Sequence, residues 1–83
     1  MKKVTLYSTE PCAFCRNAKA LLDARGIPYE EIDLALDAEG RMELARRTGM
    51  MTFPQVVIDG VLFGGFRELL AADRDGDLSD LAA

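Results

Sequence analysis

The chain has 83 residues and a net charge of −4, from 10 Lys and Arg against 14 Asp and Glu. That length fits a single domain over residues 1–83 with a modest core. The acidic balance, without a basic block or stripe, argues against non-specific nucleic-acid binding, which rests on neutralising phosphates. No apolar run approaches the roughly 20 residues of a membrane helix.

The first residues, Met1 to Thr5, begin a strand-like alternation and lack the long apolar core of a secretory signal. A cytoplasmic monomer is the expectation. Lys3 to Ser8 alternates and is rich in β-formers (Val4, Leu6, Tyr7), which predicts a strand. Ala13 to Arg25 places Phe14, Ala18, Leu21 and Leu22 on one face at helical spacing. Gly26 sits where that helix stops, and Pro28 prevents its continuation. Tyr29 to Leu34 reads as the second strand. Asp37 offers an N-cap to a second helix running to about Thr48, with Gly49 at its C-terminus; Gly40 weakens its start.

Gln55 to Ile58 reads as a third strand. Asp59-Gly60 is a strong hairpin turn signal, and Val61 to Phe63 is the fourth strand. Gly64-Gly65 breaks the pattern before a third helix from Phe66 to about Asp73, with Leu69 and Leu70 as its core residues. Asp77 to Leu81 forms a last short helical turn. The order is βαβαββα. A strand–helix–strand opening implies a parallel pair with a right-handed crossover. The hairpin implies an antiparallel pair, giving a mixed four-stranded sheet flanked by three helices.

The chemistry concentrates at Cys12-Ala13-Phe14-Cys15, where the first strand meets the first helix. The first turn of a helix has unpaired N–H groups and the positive end of the dipole. A thiolate at Cys12 can accept from those donors, which lowers its pKa from about 8.5 toward roughly 3.5–7.5. Cys15, three residues on, returns to the same face within disulfide reach. Cys12 is thus the exposed nucleophile and Cys15 the deeper resolving thiol. The competing structural readings are a zinc site and a plain buried cysteine pair. The sequence has no histidine and no third cysteine, so it cannot complete a Cys/His zinc site. A disulfide-stapled secreted domain would carry more cysteines, spread along the chain.

Thr52-Phe53-Pro54 precedes the third strand. Read alone, a proline there only marks a strand start. Together the C-x-x-C pair, this T-x-P turn and Gly64-Gly65, in that order, resemble the glutaredoxins and, more broadly, the thioredoxin superfamily. Pro28 to Leu34 and Pro54 to Gly60 are similar to the family's second strand and its third strand with hairpin. The resemblance implies a thioredoxin-like α/β fold with a cis Pro54. It also implies that the backbone of Phe53 pairs with an extended thiol substrate, as in strand addition. Gly64 and Gly65 would let backbone approach the substrate. The site residues so implied are Cys12 and Cys15 for catalysis, and Thr52, Phe53, Pro54, Gly64, Gly65, Phe66 and Arg67 for substrate or glutathione.

The family's common features are altered at three places. Ala13 and Phe14 replace the Pro-Tyr of C-P-Y-C. Thr9 stands where many members have lysine. Phe66-Arg67-Glu68 follow the double glycine, where a small residue and an aspartate usually hold the γ-glutamyl end of glutathione. Glu68 could offer a carboxylate one position later. The Gly65-Phe66-Arg67 run looks more like the glutaredoxin-like hydrogen donors of ribonucleotide reductase, which thioredoxin reductase feeds. Three readings follow from the resemblance. The first is a glutathione-dependent dithiol carrier with no permanently bound cofactor, reducing protein or glutathione mixed disulfides. The second is a thioredoxin-reductase-dependent donor to ribonucleotide reductase. The third is a module holding a glutathione-ligated 2Fe–2S cluster.

Other residues have plainer readings. Arg16, Arg46 and Arg47 are solvated helix positions, or else one of them meets a substrate carboxylate. Phe63 and Phe66 are core or cleft wall. Asp73, Asp75 and Asp77 alternate like a calcium loop, but Leu78 occupies the required glycine position and no bidentate Glu follows, so calcium is rejected.

Overall fold

The computed structural model describes residues 2–81. Its elements are β1 (Val4–Ser8), α1 (Ala13–Ala24), β2 (Glu30–Asp33), α2 (Ala38–Thr48), β3 (Gln55–Ile58), β4 (Val61–Gly64), α3 (Phe66–Arg74) and a closing 3₁₀ turn (Asp77–Leu81). The strands lie in the order β2-β1-β3-β4. β1 pairs parallel with β2 and antiparallel with β3, while β3 and β4 form the antiparallel hairpin. This is the mixed sheet expected from the order of the elements.

Alternation places Val4 and Leu6 of β1 and Val56 of β3 in the core. They pack with Ala18 and Leu22 of α1, Leu69 and Ala72 of α3, Ile27, Leu78 and Leu81. The helix stops are read directly from the backbone. Gly26 takes a left-handed φ of 68°, and α1 closes with Gly26 N–H donating to Asp23 O (3.1 Å) and Ile27 N–H to Leu22 O (2.9 Å), the two bonds of a Schellman motif. Asp37 caps α2 by accepting from Gly40 N–H at 2.8 Å. A Cβ at Gly40 would collide with that carboxylate, so the glycine that weakens the helix in sequence terms also makes room for its cap. Asp59 and Gly60 both have positive φ, 52° and 82°, as a two-residue hairpin turn requires.

Three expectations need correction. Phe14 is 61% exposed and not core; the buried stripe of α1 is Cys15, Ala18 and Leu22, and Phe14 instead stacks on Phe66 at the surface. Leu70 is 42% exposed; the helical period that buries Leu69 continues to Ala72 instead. β4 does not stop at Phe63. Gly64 still pairs with Val56, and the register slips between Val56 and Val57, leaving Phe63 as the extra residue of a bulge.

Gly64 makes that bulge possible. Its φ is 143°, and a Cβ there would lie 2.6 Å from Glu68 Cγ and 2.7 Å from Glu68 Cβ. Gly64→Ala is therefore expected to cost about 2 kcal/mol or more, lowering the melting temperature by roughly 10 °C in a domain of this size. Gly26→Ala, which also has positive φ but nothing within 4 Å, should fall less. Calorimetry of the two variants checks this; equal losses would show that the contact with Glu68 does not matter.

One ionic cluster ties three elements together. Glu31 Oε2 on β2 accepts from Ser8 Oγ at 2.8 Å and from Lys19 Nζ at 2.9 Å. The Lys19 hydrogen bond first, and the Ser8 hydroxyl second, hold the Glu31 carboxyl below the usual carboxylate range, and the same bond raises Lys19. A depressed carboxyl contributes stability that is present above roughly pH 4 and is lost as pH falls through its folded value. The raised Lys19 contributes stability that is lost only in strong alkali. Both side chains are part-exposed, so the pair is worth about 1 kcal/mol at most. Asp73, held low by Arg25, loads the same acid limb. Urea midpoints from neutral to acid pH should fall less steeply for Glu31→Gln than for the parent. Parallel curves would contradict the assignment.

Candidate active site

The redox pair sits where the sequence places it. Cys12 is the N-cap of α1, with extended φ and ψ of −155° and 99°, and its side chain accepts from Cys15 N–H. That bond is 3.0 Å. No acidic side chain occupies the first turn of α1, so nothing competes with sulfur for the positive end of the helix. Cys12 and Cys15 are joined as a disulfide with Cα atoms 5.2 Å apart, well inside the range that a disulfide spans. Cys12 is partly exposed and Cys15 is 1% exposed.

Facing the pair is the 50–54 loop. The Phe53–Pro54 peptide is cis, as the resemblance implied; Glu10–Pro11 is also cis, which nothing in the sequence indicated. Cys12 Sγ lies 3.8 Å from Phe53 O. Pro54 is buried, Phe53 is partly buried and Thr52 is exposed. Phe53 precedes the first ladder residue, Gln55, so its backbone takes no part in the sheet.

Two positioning residues were not anticipated. Gln55 is fully buried and its Nε2 donates to Met50 O at 2.9 Å and Thr52 O at 3.1 Å. It thereby clamps both ends of the turn that presents Phe53. A polar residue opening an otherwise apolar strand directly after T-x-P was the available signal; its Nε2 finds both partners, while its buried Oε1 has none among the described residues. Glu68 is the second. Its Oε1 accepts from Gly65 N–H at 2.7 Å, half of a capping box; Gly65 has no side chain to return the other half. Glu68 at the third position of α3 was the legible sign. One oxygen of this carboxylate is therefore already committed, which limits Glu68 as a replacement for the usual aspartate. Gly65 also packs closely: a Cβ there would lie 3.3 Å from Pro54 O, so this position admits backbone only at short range.

The structure gathers most of the expected site around one cleft of about 620 Å³. Thr52, Phe53, Pro54, Gly65, Phe66 and Arg67 line it, joined by Phe14, Met50 and Leu70. Gly64 is buried behind it under Glu68. Phe14 and Phe66 stack with ring centroids 5.9 Å apart. Thr9 is partly exposed. Phe63 instead packs against the core. Of the arginines weighed earlier, Arg46 pairs with Glu43, while Arg16 and Arg47 are exposed. Asp73 is bound by Arg25, with Nε–Oδ1 at 2.6 Å and Nη2–Oδ2 at 3.0 Å. Among the described residues no group of three or more His, Cys, Asp or Glu side chains converges as a metal site. No helix among them is long and apolar enough to cross a membrane.

A partly exposed sulfur on a helix N-terminus, disulfide-bonded to a buried one and facing an open backbone segment, can exchange electrons with other disulfides. Comparison with known proteins agrees. A sequence model of the glutaredoxin family matches residues 4–63. Glutaredoxin 3 of Escherichia coli K12 is 38% identical over 81 residues, covering 98% of both chains. A glutaredoxin of Pseudomonas aeruginosa is 40% identical over 81 residues, covering 98% of this chain and 96% of its own. Among solved structures, the buckwheat glutaredoxin–glutathione complex superposes with a TM-score of 0.86 at 28% identity, covering 99% of this chain and 83% of that one. The Brucella melitensis glutaredoxin does so with 0.83 at 39% identity, covering 95% and 86%. With its family, fold and cysteine pair in agreement, this chain belongs to the glutaredoxins, and it is a thiol–disulfide oxidoreductase of the thioredoxin-like fold.

Proposed function

We propose that the chain is a dithiol electron carrier, with Cys12 as nucleophile, Cys15 as resolving thiol and glutathione as the source of electrons. The observation that carries the roles is the asymmetry of burial and capping: Cys12 is the partly exposed N-cap, while Cys15 is buried. In the reduced protein the Cys12 thiolate attacks one sulfur of a substrate disulfide. One substrate thiolate leaves and a mixed disulfide forms. Cys15, giving up its proton, then attacks Cys12 Sγ and expels the second substrate thiolate. The substrate has gained two electrons, with one proton from Cys15 and one from solvent, and the protein is left in the disulfide form. A first glutathione opens that disulfide by forming a mixed disulfide at Cys12. A second releases oxidised glutathione and restores both thiols.

Glutathione is favoured because the backbone parts of a recognition site are present. The chain offers Phe53 ahead of cis Pro54, and Gly65 ahead of the α3 N-terminus, where Phe66 and Arg67 begin the helix. A solved relative of high structural similarity is a glutathione complex. The side-chain parts are weaker, with Thr9 for lysine and Phe66-Arg67 for the small residue and aspartate. Each lost charge-assisted bond removes roughly 1.5–3 kcal/mol, so glutathione should act with a raised KM. The physiological setting we infer is the cytoplasm, with protein disulfides such as that of ribonucleotide reductase as acceptors.

The test is disulfide reduction driven separately by glutathione with its reductase and by thioredoxin reductase. Glutathione-dependent turnover is expected, with a KM that Arg67→Asp lowers. Turnover with thioredoxin reductase alone would replace this reading with the hydrogen-donor one.

A further inference from the structure

One wall of the cleft is an aromatic pair that offers apolar surface beyond the backbone contacts proposed above for glutathione. Phe14, although 61% exposed, is held in place by its stack on Phe66 at 5.9 Å. Phe53, Met50 and the exposed Leu70 extend the same wall. Exposed aromatic and Met side chains around one concave surface are the usual marks of an apolar anchor site. Neither cysteine lines the cleft, but Phe53 links it to the reacting centre: it forms part of the lining and carries the carbonyl 3.8 Å from Cys12 Sγ. A half-cystine on Cys12 therefore has its chain neighbour, about 3.3 Å per residue along an extended strand, at the mouth of this cleft.

The rim adds a charge. Arg67 is exposed and lines the cleft, and it pairs with no carboxylate among the described residues. The neighbouring Glu68 is bound to Gly65 N–H. Arg67 is thus the one cationic side chain of the lining, while Glu68 keeps its negative charge with one oxygen drawn back onto Gly65 N–H.

Resting on the dithiol reading above, we infer that Phe14, Phe66 and Arg67 select the disulfide substrate: an extended peptide with a large apolar residue next to the half-cystine and an acidic residue beyond it. Phe14 and Phe66 act as specificity residues. They bury the apolar neighbour in the mixed disulfide and leave the sulfur chemistry unchanged. A glutathionyl group presents no such side chain and gains nothing from them.

The test uses symmetric disulfide dimers of short peptides, so that attack on either sulfur is equivalent. The peptides carry Phe or Ser beside the cysteine, and Asp or Lys one residue further. Reduced protein is mixed with excess dimer, and free peptide thiol is followed through a single turnover, with no reductase present. The parent protein should reduce Phe dimers about ten-fold faster than Ser dimers, and Asp dimers several-fold faster than Lys dimers. In Phe14→Ala the Phe-to-Ser ratio should fall toward one. Phe66→Ala should do the same, and because Phe14 is exposed its variant keeps the test valid if Phe66→Ala folds poorly. Arg67→Glu should reverse the order of Asp and Lys dimers. Equal rates for Phe and Ser dimers with the parent, or a ratio that survives both Phe variants, would overturn the inference. Cystamine, a small symmetric disulfide without side chains, separates the two levels. If the parent reduces cystamine and the Ser dimers but shows no preference, only the specificity fails. If it reduces neither, the dithiol reading fails with it.

Discussion

Cys12→Ser should abolish disulfide reduction to the level of buffer. The effect is chemical, since serine keeps the local structure. Its hydroxyl is among the preferred N-cap groups and can take the Cys15 N–H that Cys12 Sγ accepts at 3.0 Å. What it lacks is an ionised sulfur at working pH, and Cys15, 1% exposed, cannot reach an external disulfide in its place. The variant should therefore melt close to the reduced parent while showing no turnover with any disulfide. Measurable reduction by Cys12→Ser would show that the attacking sulfur lies elsewhere.

Removing Cys15 should divide the substrates into two groups. Cys12 still attacks, but no internal thiol completes the exchange, so a protein disulfide remains covalently held. Intact-mass measurement should show one persistent adduct, and fragmentation should place it on Cys12. Mixed disulfides with glutathione should still turn over, because a second glutathione can attack the Cys12 adduct from solution. Cys15→Ser puts a hydroxyl into a buried site, at a cost of about 1–3 kcal/mol if it stays unpaired. Cys15→Ala avoids that cost and should trap the same species. Free, unmodified protein after exposure to a protein disulfide would contradict the division of labour.

The legible parts of this molecule are those where local chemistry has one solution. Gly26, Asp37, Gly49 and Asp59-Gly60 each mark a helix end or turn that only a few residue types can make, and the structure uses every one of them. The position of Cys12 ahead of α1 was legible for the same reason: a strand ends and a helix begins within a few residues. Phe14 was misplaced because a helical repeat defines a face but not what covers it, and here the first turn of that face meets Phe66 at the cleft. Leu70 was misplaced because the buried stripe of α3 runs through Leu69 and Ala72 and leaves it out of phase. Gly64 was read as a break because glycine interrupts a regular strand, whereas here it continues one through a bulge that pairs it with Val56. The roles of Gln55 and Glu68 depend on which backbone groups the fold leaves unpaired. Those groups are defined only once the 50–54 loop and α3 are in place, although the residue types were suggestive.

Of the two cysteines, Cys12 is expected to be the ionised and accessible one. Limiting iodoacetamide at mildly acidic pH tests it most directly on the fully reduced protein. Both cysteines fall in the tryptic peptide that ends at Arg16, so tandem fragmentation between Ala13 and Phe14 locates the modification. The expected result is alkylation of Cys12 with Cys15 untouched, at a rate that titrates well below the free-thiol pKa of about 8.5. Modification of Cys15 first, or of both at the same rate, or a Cys12 titration at or above the free-thiol value, would contradict the account.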